Sequence, residues 1–459
     1  MIVAGCQVLS PPSREELQQR ALANLTLTDP WKAGGSSDAV QDQWLAGFND
    51  AELNALVSEA IANNPDLRVT TVRVEQAAAY VNLAKAALRP TVNVLGTGGL
   101  NMGGGDISSA LQGISLGASW EPDLWGRMRY GRNAAQAAHA SAQADFEFAR
   151  QSLAAATAKS WFTVTETWLQ KQLADEMVTV AQELVTLAEN RRQVGSGSEQ
   201  DVVMARANRG NFDDTARQVT LAHEQALRGI ELLLGRYPAA ELQARHDLPG
   251  LPGTVPAGMP LDMLERRPDM VAAERRVAAA FNRVGEAKAA RLPRIILNAN
   301  IAGISSDILQ LKEDFENPAA GVGGRLIAPL YTGGAMTTQV EIRTLEQKEA
   351  VAQYAGMALR AIGDVENALA AGQNLAERET VLRQVVTDSE RALELAQIGY
   401  RVGRQDLRSV QQQQLNVHAA RLVLLRVQSE QLSQRVNLHL ALGGSFETRP
   451  EQQAASSSP

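Results

Sequence analysis

This 459-residue chain is poor in cysteine and in aromatic residues, and it has no long apolar run. Cys6 is the single cysteine, so no disulfide can close within the chain. Aromatic residues make up 4% of it, too few to fill the thick cores that such side chains usually fill. No stretch of 18 apolar residues occurs, which excludes a membrane-spanning helix but not the short alternating strands of a spanning β-barrel. Basic residues do not predominate. Lys and Arg number 44 against 51 Asp and Glu, a net charge of -7 that lacks the basic footprint of a nucleic-acid binder. None of the five histidines (His139, His223, His246, His418 and His439) has a ligand partner three or four residues away, so no zinc site is expected. A Walker-type phosphate loop and a G-x-S-x-G elbow are also missing. The sequence therefore predicts no enzyme, no cofactor and no metal centre.

Alanine, by contrast, is abundant, with 72 residues or about 16% of the chain, and small residues let helices approach closely. Prolines are absent between Pro122 and Pro238 and again between Pro329 and Pro450. Proline breaks helix interiors, so two runs of more than a hundred residues are free to be long helices. Length alone suggests two to four ordinary domains, but an internal repeat organises the chain differently. Asn64-Pro65-Asp66-Leu67 is answered by Arg267-Pro268-Asp269-Met270, and Ala84-Lys85-Ala86-Ala87 by Ala287-Lys288-Ala289-Ala290. Further on, Leu124-Trp125 corresponds to Leu330-Tyr331, Val194-Gly195 to Val402-Gly403, and Leu234-Gly235 to Leu442-Gly443. The markers keep their order with loop-sized drifts, as duplicated units do. The reading is an N-terminal segment 1–50, a first repeat 51–240, a linker 241–260, a second repeat 261–445 and a disordered tail 446–459.

Each repeat reads as helix, two strands, long helix, turn, helix. The first helices run roughly 51–88 and 261–291, ending before Pro90 and Pro293. Strand alternation is clear in Ile114–Trp120 and in Leu297–Ile301, and weaker in 91–100 and 321–329. The loops 101–112 and 305–320 are polar or glycine-rich. Long helices follow at 127–194 and 335–402, each about 100 Å at ~1.5 Å per residue, then second helices at 198–236 and 404–442. Leu169, Leu173, Met177, Val180, Leu184 and Leu187 step by four and three, the spacing of a coiled-coil seam. Four strands of about ten residues suit a tilted membrane strand, but four cannot close a barrel and an open edge is costly in lipid. Two chains would give eight strands around a filled interior, and three would give twelve around a passage. A soluble four-stranded sheet packed on helices is the competing arrangement.

Val3-Ala4-Gly5-Cys6 is similar to a bacterial lipobox, and Ser10-Pro11-Pro12 to a lipoprotein tether, although the usual basic and apolar leader regions do not precede it. Gln7 after the cysteine, rather than aspartate, favours outer-membrane sorting. Trp44-x3-Phe48-x-Asp50-x2-Leu53-x2-Leu56-Val57 followed by Asn64-Pro65-Asp66-Leu67, and Ser119-Trp120-Glu121-Pro122-Asp123-Leu124-Trp125-Gly126-Arg127, resemble signatures of TolC-like outer-membrane efflux channels. Leu264-Glu265-Arg266-Arg267-Pro268-Asp269 with Ala273-Glu274 resembles the repeat junction of their NodT-type lipoprotein branch. Pro329-Leu330-x2-Gly333-Gly334 and Asp364-Val365-Glu366-Asn367-Ala368-Leu369 fit as well, so the resemblance covers about residues 5 to 445.

The resemblance implies a mainly α fold with a membrane β-barrel. It implies a homotrimer whose 12-stranded barrel, four strands per chain, continues into a long periplasmic α-helical barrel. It implies a lipidated Cys6 and outer-membrane lipid around the barrel. The partners implied are a periplasmic adaptor and an inner-membrane transporter of the proton-driven RND class, which must supply the energy for export. The cargo would be small molecules. Two alternatives stand beside it, a periplasmic coiled-coil scaffold or adaptor lipoprotein and a type I protein-secretion channel. No lipoyl-like β domains flank the helical hairpins, which disfavours the adaptor.

Two tips carry the candidate site residues. Val194, Gly195, Ser198, Val402, Gly403 and Asp406 lie at the turns, where glycine suits a helix end and Ser198 and Asp406 suit the next N-cap. The resemblance makes these tips the adaptor-docking surface. It makes Asp201, Tyr400, Ser409 and Gln412 the periplasmic aperture. Ser409 and Gln412 stand where the family often carries aspartates, beside the run Gln411–Gln414. The acid ring is therefore expected to be thin and the cation selection weak.

Overall fold

A computed structural model describes residues 8–23, 31–36, 38–98, 100–103, 106–109, 112–305 and 319–447. Cys6, most of the tail and the loop 306–318 lie outside the described residues. The order is α1 (Arg14–Ala21), a 3-10 turn (Trp44–Phe48), α2 (Ala51–Asn63), α3 (Pro65–Ala86), β1 (Thr91–Thr97), β2 (Leu100–Gly103), β3 (Asp106–Ser109), β4 (Gln112–Trp120), α4 (Arg127–Gln193) and α5 (Glu199–Leu233). The second half runs α6 (Pro260–Arg266), α7 (Pro268–Ala289), β5 (Arg294–Ser305), β6 (Ala319–Ile327), α8 (Ala335–Arg401) and α9 (Leu407–Ala441). Among the described residues no helix is long and apolar enough to cross a membrane.

The first helix of each repeat is not continuous as expected. A proline forces its predecessor out of the helical region. Asn64 sits at φ -62, ψ 125 and Arg267 at φ -71, ψ 121, so each helix splits there and restarts with proline at its first position. The Asn64 carboxamide accepts from Leu67 N and donates to the Leu233 carbonyl that ends α5. Arg267 does the equivalent work in the second repeat, donating to the Ala441 carbonyl that ends α9 while pairing with Asp269 and Asp364. The loop read as 101–112 contains most of the short antiparallel pair β2–β3.

The chain divides into two compact units, each drawing on both repeats: Met1–Leu25, Val72–Ala144 and Val271–Met357 in one, Thr26–Thr71, Asp145–Met270 and Ala358–Pro459 in the other. The first unit holds the sheet, with antiparallel order β1-β4-β5-β6. Tyr130 of α4 lies against Gly285 of α7, where an added Cβ would come within 2.5 Å of the ring, so a side chain there would part the two helices. In the second unit the core is Trp44, Phe48, Leu53, Leu56 and Val57 packed on Trp161 and Phe162 of α4 and on Ile230, Leu432 and Val436. Asp50 is its polar pin. It caps α2 through Glu52 N and Leu53 N, accepts from Trp161 Nε1 at 3.1 Å and pairs with Arg245 at 3.0 Å.

Segments read as linker or tail also contribute. Phe446 is buried in this core and Glu447 pairs with Arg150, so the ordered chain runs past 445. Within 1–50, α1 and the 3-10 turn are formed rather than a plain tether. The expected leucine seam of α4 is shifted. Ala174, Met177, Ala181, Leu184, Val185 and Ala188 are buried, while Leu169, Leu173, Val180 and Leu187 are half-buried beside them. Small side chains take the closest approach and leucines flank it.

Candidate functional site

The register divides the sheet into two chemically different faces, because side chains alternate along each strand. One face carries Val92, Val94, Ile114, Leu116, Trp120, Leu297, Ile301, Val322 and Leu326, all exposed. The other carries Thr91, Asn93, Thr97, Ser115, Ser119, Arg294, Asn298, Asn300 and Arg325, interrupted by Leu95, Ile296 and Ile327. Such an apolar surface facing water would be costly; facing lipid it is not. The strand feet are tied by indole donors, Trp120 Nε1 to the Leu88 carbonyl at 3.1 Å and Trp125 Nε1 to the Pro293 carbonyl at 2.5 Å. Asp123 accepts from Met128 N and Arg129 N and so caps α4, and Glu121 pairs with Arg127. The tryptophans and acids of the 119–127 segment thus join strand to helix.

The helix tips form a second candidate site. Gly195 and Gly403 adopt φ +76 and +75, and the chain closes back through Ser196 N to the Arg191 carbonyl and Arg404 N to the Gly399 carbonyl. Ser198 and Asp201 form a reciprocal capping box on α5. Asp406 caps α9 by accepting from Ser409 N and from the Ser409 hydroxyl, which hold its carboxyl below the usual carboxylate range. Val194 and Val402 are exposed at the two turns.

Behind the turns both hairpins share one core of Leu184, Val185, Ala188, Val202, Ala205, Ala396, Tyr400, Leu407 and Val410. Tyr400 is 3% exposed and its hydroxyl has no hydrogen-bond partner among the described residues. Arg191 instead ties the two tips. Its guanidinium donates to the Tyr400 carbonyl at 2.6 Å and to the Ser196 carbonyl at 3.2 Å, and lies 4.6 Å from the centre of the Tyr400 ring. Burial holds the Tyr400 hydroxyl above the ordinary tyrosine range, with Arg191 opposing and Asp201 adding to the shift.

Of the expected aperture residues, Asp201 lies near enough to Tyr400 for its charge to add to that shift. Ser409 and Gln412 are not joined to them: Ser409 serves the Asp406 cap, and the exposed Gln412 bonds to Asn416 along its own helix. Arg191 was not among the expected site residues. Its signal was an arginine one turn before the tip glycine, placed to reach the other hairpin. Among the described residues no group of three His, Cys, Asp or Glu could hold a metal.

The outer membrane efflux protein family matches residues 56–236 and 260–444, one match in each repeat. The pyoverdine export outer membrane protein OpmQ of Pseudomonas putida is 29% identical over 443 residues, covering 91% of this chain and 92% of that protein. The cation efflux system protein CusC of Escherichia coli is 27% identical over 446 residues, covering 94% of this chain and 93% of its own. Among solved structures, the Campylobacter jejuni CmeC outer membrane channel superposes with a TM-score of 0.86 over 98% of this chain and 97% of its own, a likeness of fold at 22% identity.

Proposed function

The chain belongs to the outer membrane efflux protein family, a family of outer-membrane channels, and from that premise we propose that three copies assemble into the passive exit duct of a tripartite pump. The observation that carries the trimer is the four-stranded sheet with one exposed apolar face and two unpaired edges, β1 and β6. Pairing β6 of one copy with β1 of the next removes every edge, and three copies give twelve strands with the polar face around a passage. The helix tips form the periplasmic end. Val194, Gly195, Ser198, Val402, Gly403 and Asp406 meet a periplasmic adaptor, and Asp201, Tyr400 and Arg191 hold the aperture closed. Ser409 acts there through the Asp406 cap, and Gln412 supplies an uncharged wall.

An inner-membrane transporter of the RND class supplies the energy. Small molecules are the cargo, and the pyoverdine and cation exporters among the relatives support a duct whose cargo is chosen by its partners. Cys6 is the lipid anchor. Leu9, three residues on, donates its backbone N–H to the Tyr130 hydroxyl in the unit that holds the sheet, which supports an anchor near the strand feet. The test is the mass of the assembly in detergent after extraction from the outer membrane, with mass spectrometry of the Cys6 peptide. Three chains of 49.3 kDa and an acylated cysteine are expected. A monomer or dimer sinks the twelve-stranded duct, and an unmodified cysteine sinks the anchor.

A further inference from the structure

The four strands of the main sheet contain no aspartate or glutamate and two arginines, Arg294 and Arg325. Arg294 opposes Ile327 and Arg325 opposes Ile296, so both lie on the polar face with Asn298 and Ser119. Glu121 is the carboxylate at the strand feet on this side. Its two oxygens are already engaged, one by Arg127 at 2.9 Å and the other by Arg294 at 3.7 Å. Arg325 is exposed and forms no ion pair among the described residues. The corresponding strand of the first repeat, β4, places Gly117 and Ser119 on the same face and no charge.

Among the described residues, the strands that would flank Arg325 in an assembly of copies carry no acid. The edge available to β6 is β1 of another chain, and Thr91–Thr97 contains no acid. Arg325 lies six residues into β6 from Ala319, about 20 Å along the strand at ~3.3 Å each. A wall with lipid behind it is of low dielectric, so a repeated uncompensated charge is focused into the passage instead of being screened from all sides.

We infer that the strand-lined end of the duct is selective for anionic solutes and that Arg325 sets this preference. The inference rests on the reading of the polar face as the wall of a passage. It is separate from the tips: the acids near the aperture lie at the helix turns, and Arg325 lies on β6, two residues before its end at Ile327.

The experiment is single-channel recording of the purified assembly in planar bilayers, with sodium tripolyphosphate added to the strand side. Tripolyphosphate is expected to reduce the current of the unaltered protein. Its apparent dissociation constant should rise about tenfold in R325S and block should vanish in R325E, as a ring of charge lining a pore predicts. R325K, which keeps the charge, should retain the block. Unchanged block in R325S, or R325K behaving as R325S, overturns the inference while leaving the duct intact. Assemblies of the correct mass that give no conductance in any variant, even with Arg191→Ala added to open the tips, overturn the duct reading itself, and the inference with it.

Discussion

Tyr400 is held at the tip by its ring and its carbonyl rather than by its hydroxyl, and that separates two substitutions which look equally severe. Tyr400→Phe keeps every contact the structure shows, so closed-state conductance of the reconstituted assembly should stay near that of the unaltered protein. Arg191→Ala removes two carbonyl contacts and the cation over the ring, and the same recording should show conductance rising severalfold. Equal effects of the two would refute this account of the tip. A second residue prediction concerns His439, buried and stacked on Trp44 at 5.9 Å. Burial, with Arg435 adding to it, lowers the imidazole pKa from 6.5 to about 4. The unfolded chain thus takes up a proton that the folded chain refuses. The stability this neutral ring contributes is intact above pH 6.5 and lost progressively as pH falls towards 4. At about 1.4 kcal/mol per pH unit the loss is at most about 3.5 kcal/mol. His439→Phe should flatten the acid side of the melting-temperature profile relative to the unaltered protein. A parallel decline in both would refute it. The resemblance pointed to Asp201 and Tyr400 by position. Arg191 was not legible, because its partner is a carbonyl 209 residues away, and a backbone oxygen has no residue type to read.

At the scale of elements, the two repeats solve one problem with different chemistry. Each must end a long hairpin against the start of a proline-led helix. Asn64 does so with a neutral amide on Leu233, Arg267 with a buried cation on Ala441. Both hairpins leave through a glycine of positive φ, Gly235 at +70 and Gly443 at +69. At Gly443 an added Cβ would meet the Arg266 carbonyl carbon at 2.9 Å, and backbone cannot swing aside. Gly443→Ala should therefore cost about 1–3 kcal/mol, read as a lower melting temperature in detergent. Unchanged melting would show that the junction relaxes freely. The long helices were legible to within a few residues because proline is missing from them and returns at their ends. The break at Asn64 was not, because a proline at a first helical turn and a proline inside a helix look alike until the preceding residue's backbone is seen. The leucine seam misled for a related reason. Hydrophobicity ranks leucine above alanine, but the closest approach selects the smaller side chain.

For the whole molecule, duplication was the most readable feature, since motifs repeated in the same order with small drifts of offset need no structure to be seen. The sheet faces followed from alternation. The register did not, and the register is what places Arg325 on the polar side. The two compact units cut across the repeats, each assembled from both. That follows from long helices which carry a repeat from one unit into the other, a consequence of element length that a list of motifs does not contain.

The central pairing of the sheet joins Trp120 to Leu297, so β4 waits for 177 more residues of chain before its second neighbour exists. Until then a strand edge with a full row of free amides and carbonyls stands open, and closing so long a loop is slow compared with local helix formation. During that interval any other open edge, including that of a second incomplete chain, competes for it. The yield of finished protein is then governed by a race between arrival of β5 and capture by a wrong strand. The stability of the final assembly has no bearing on who wins.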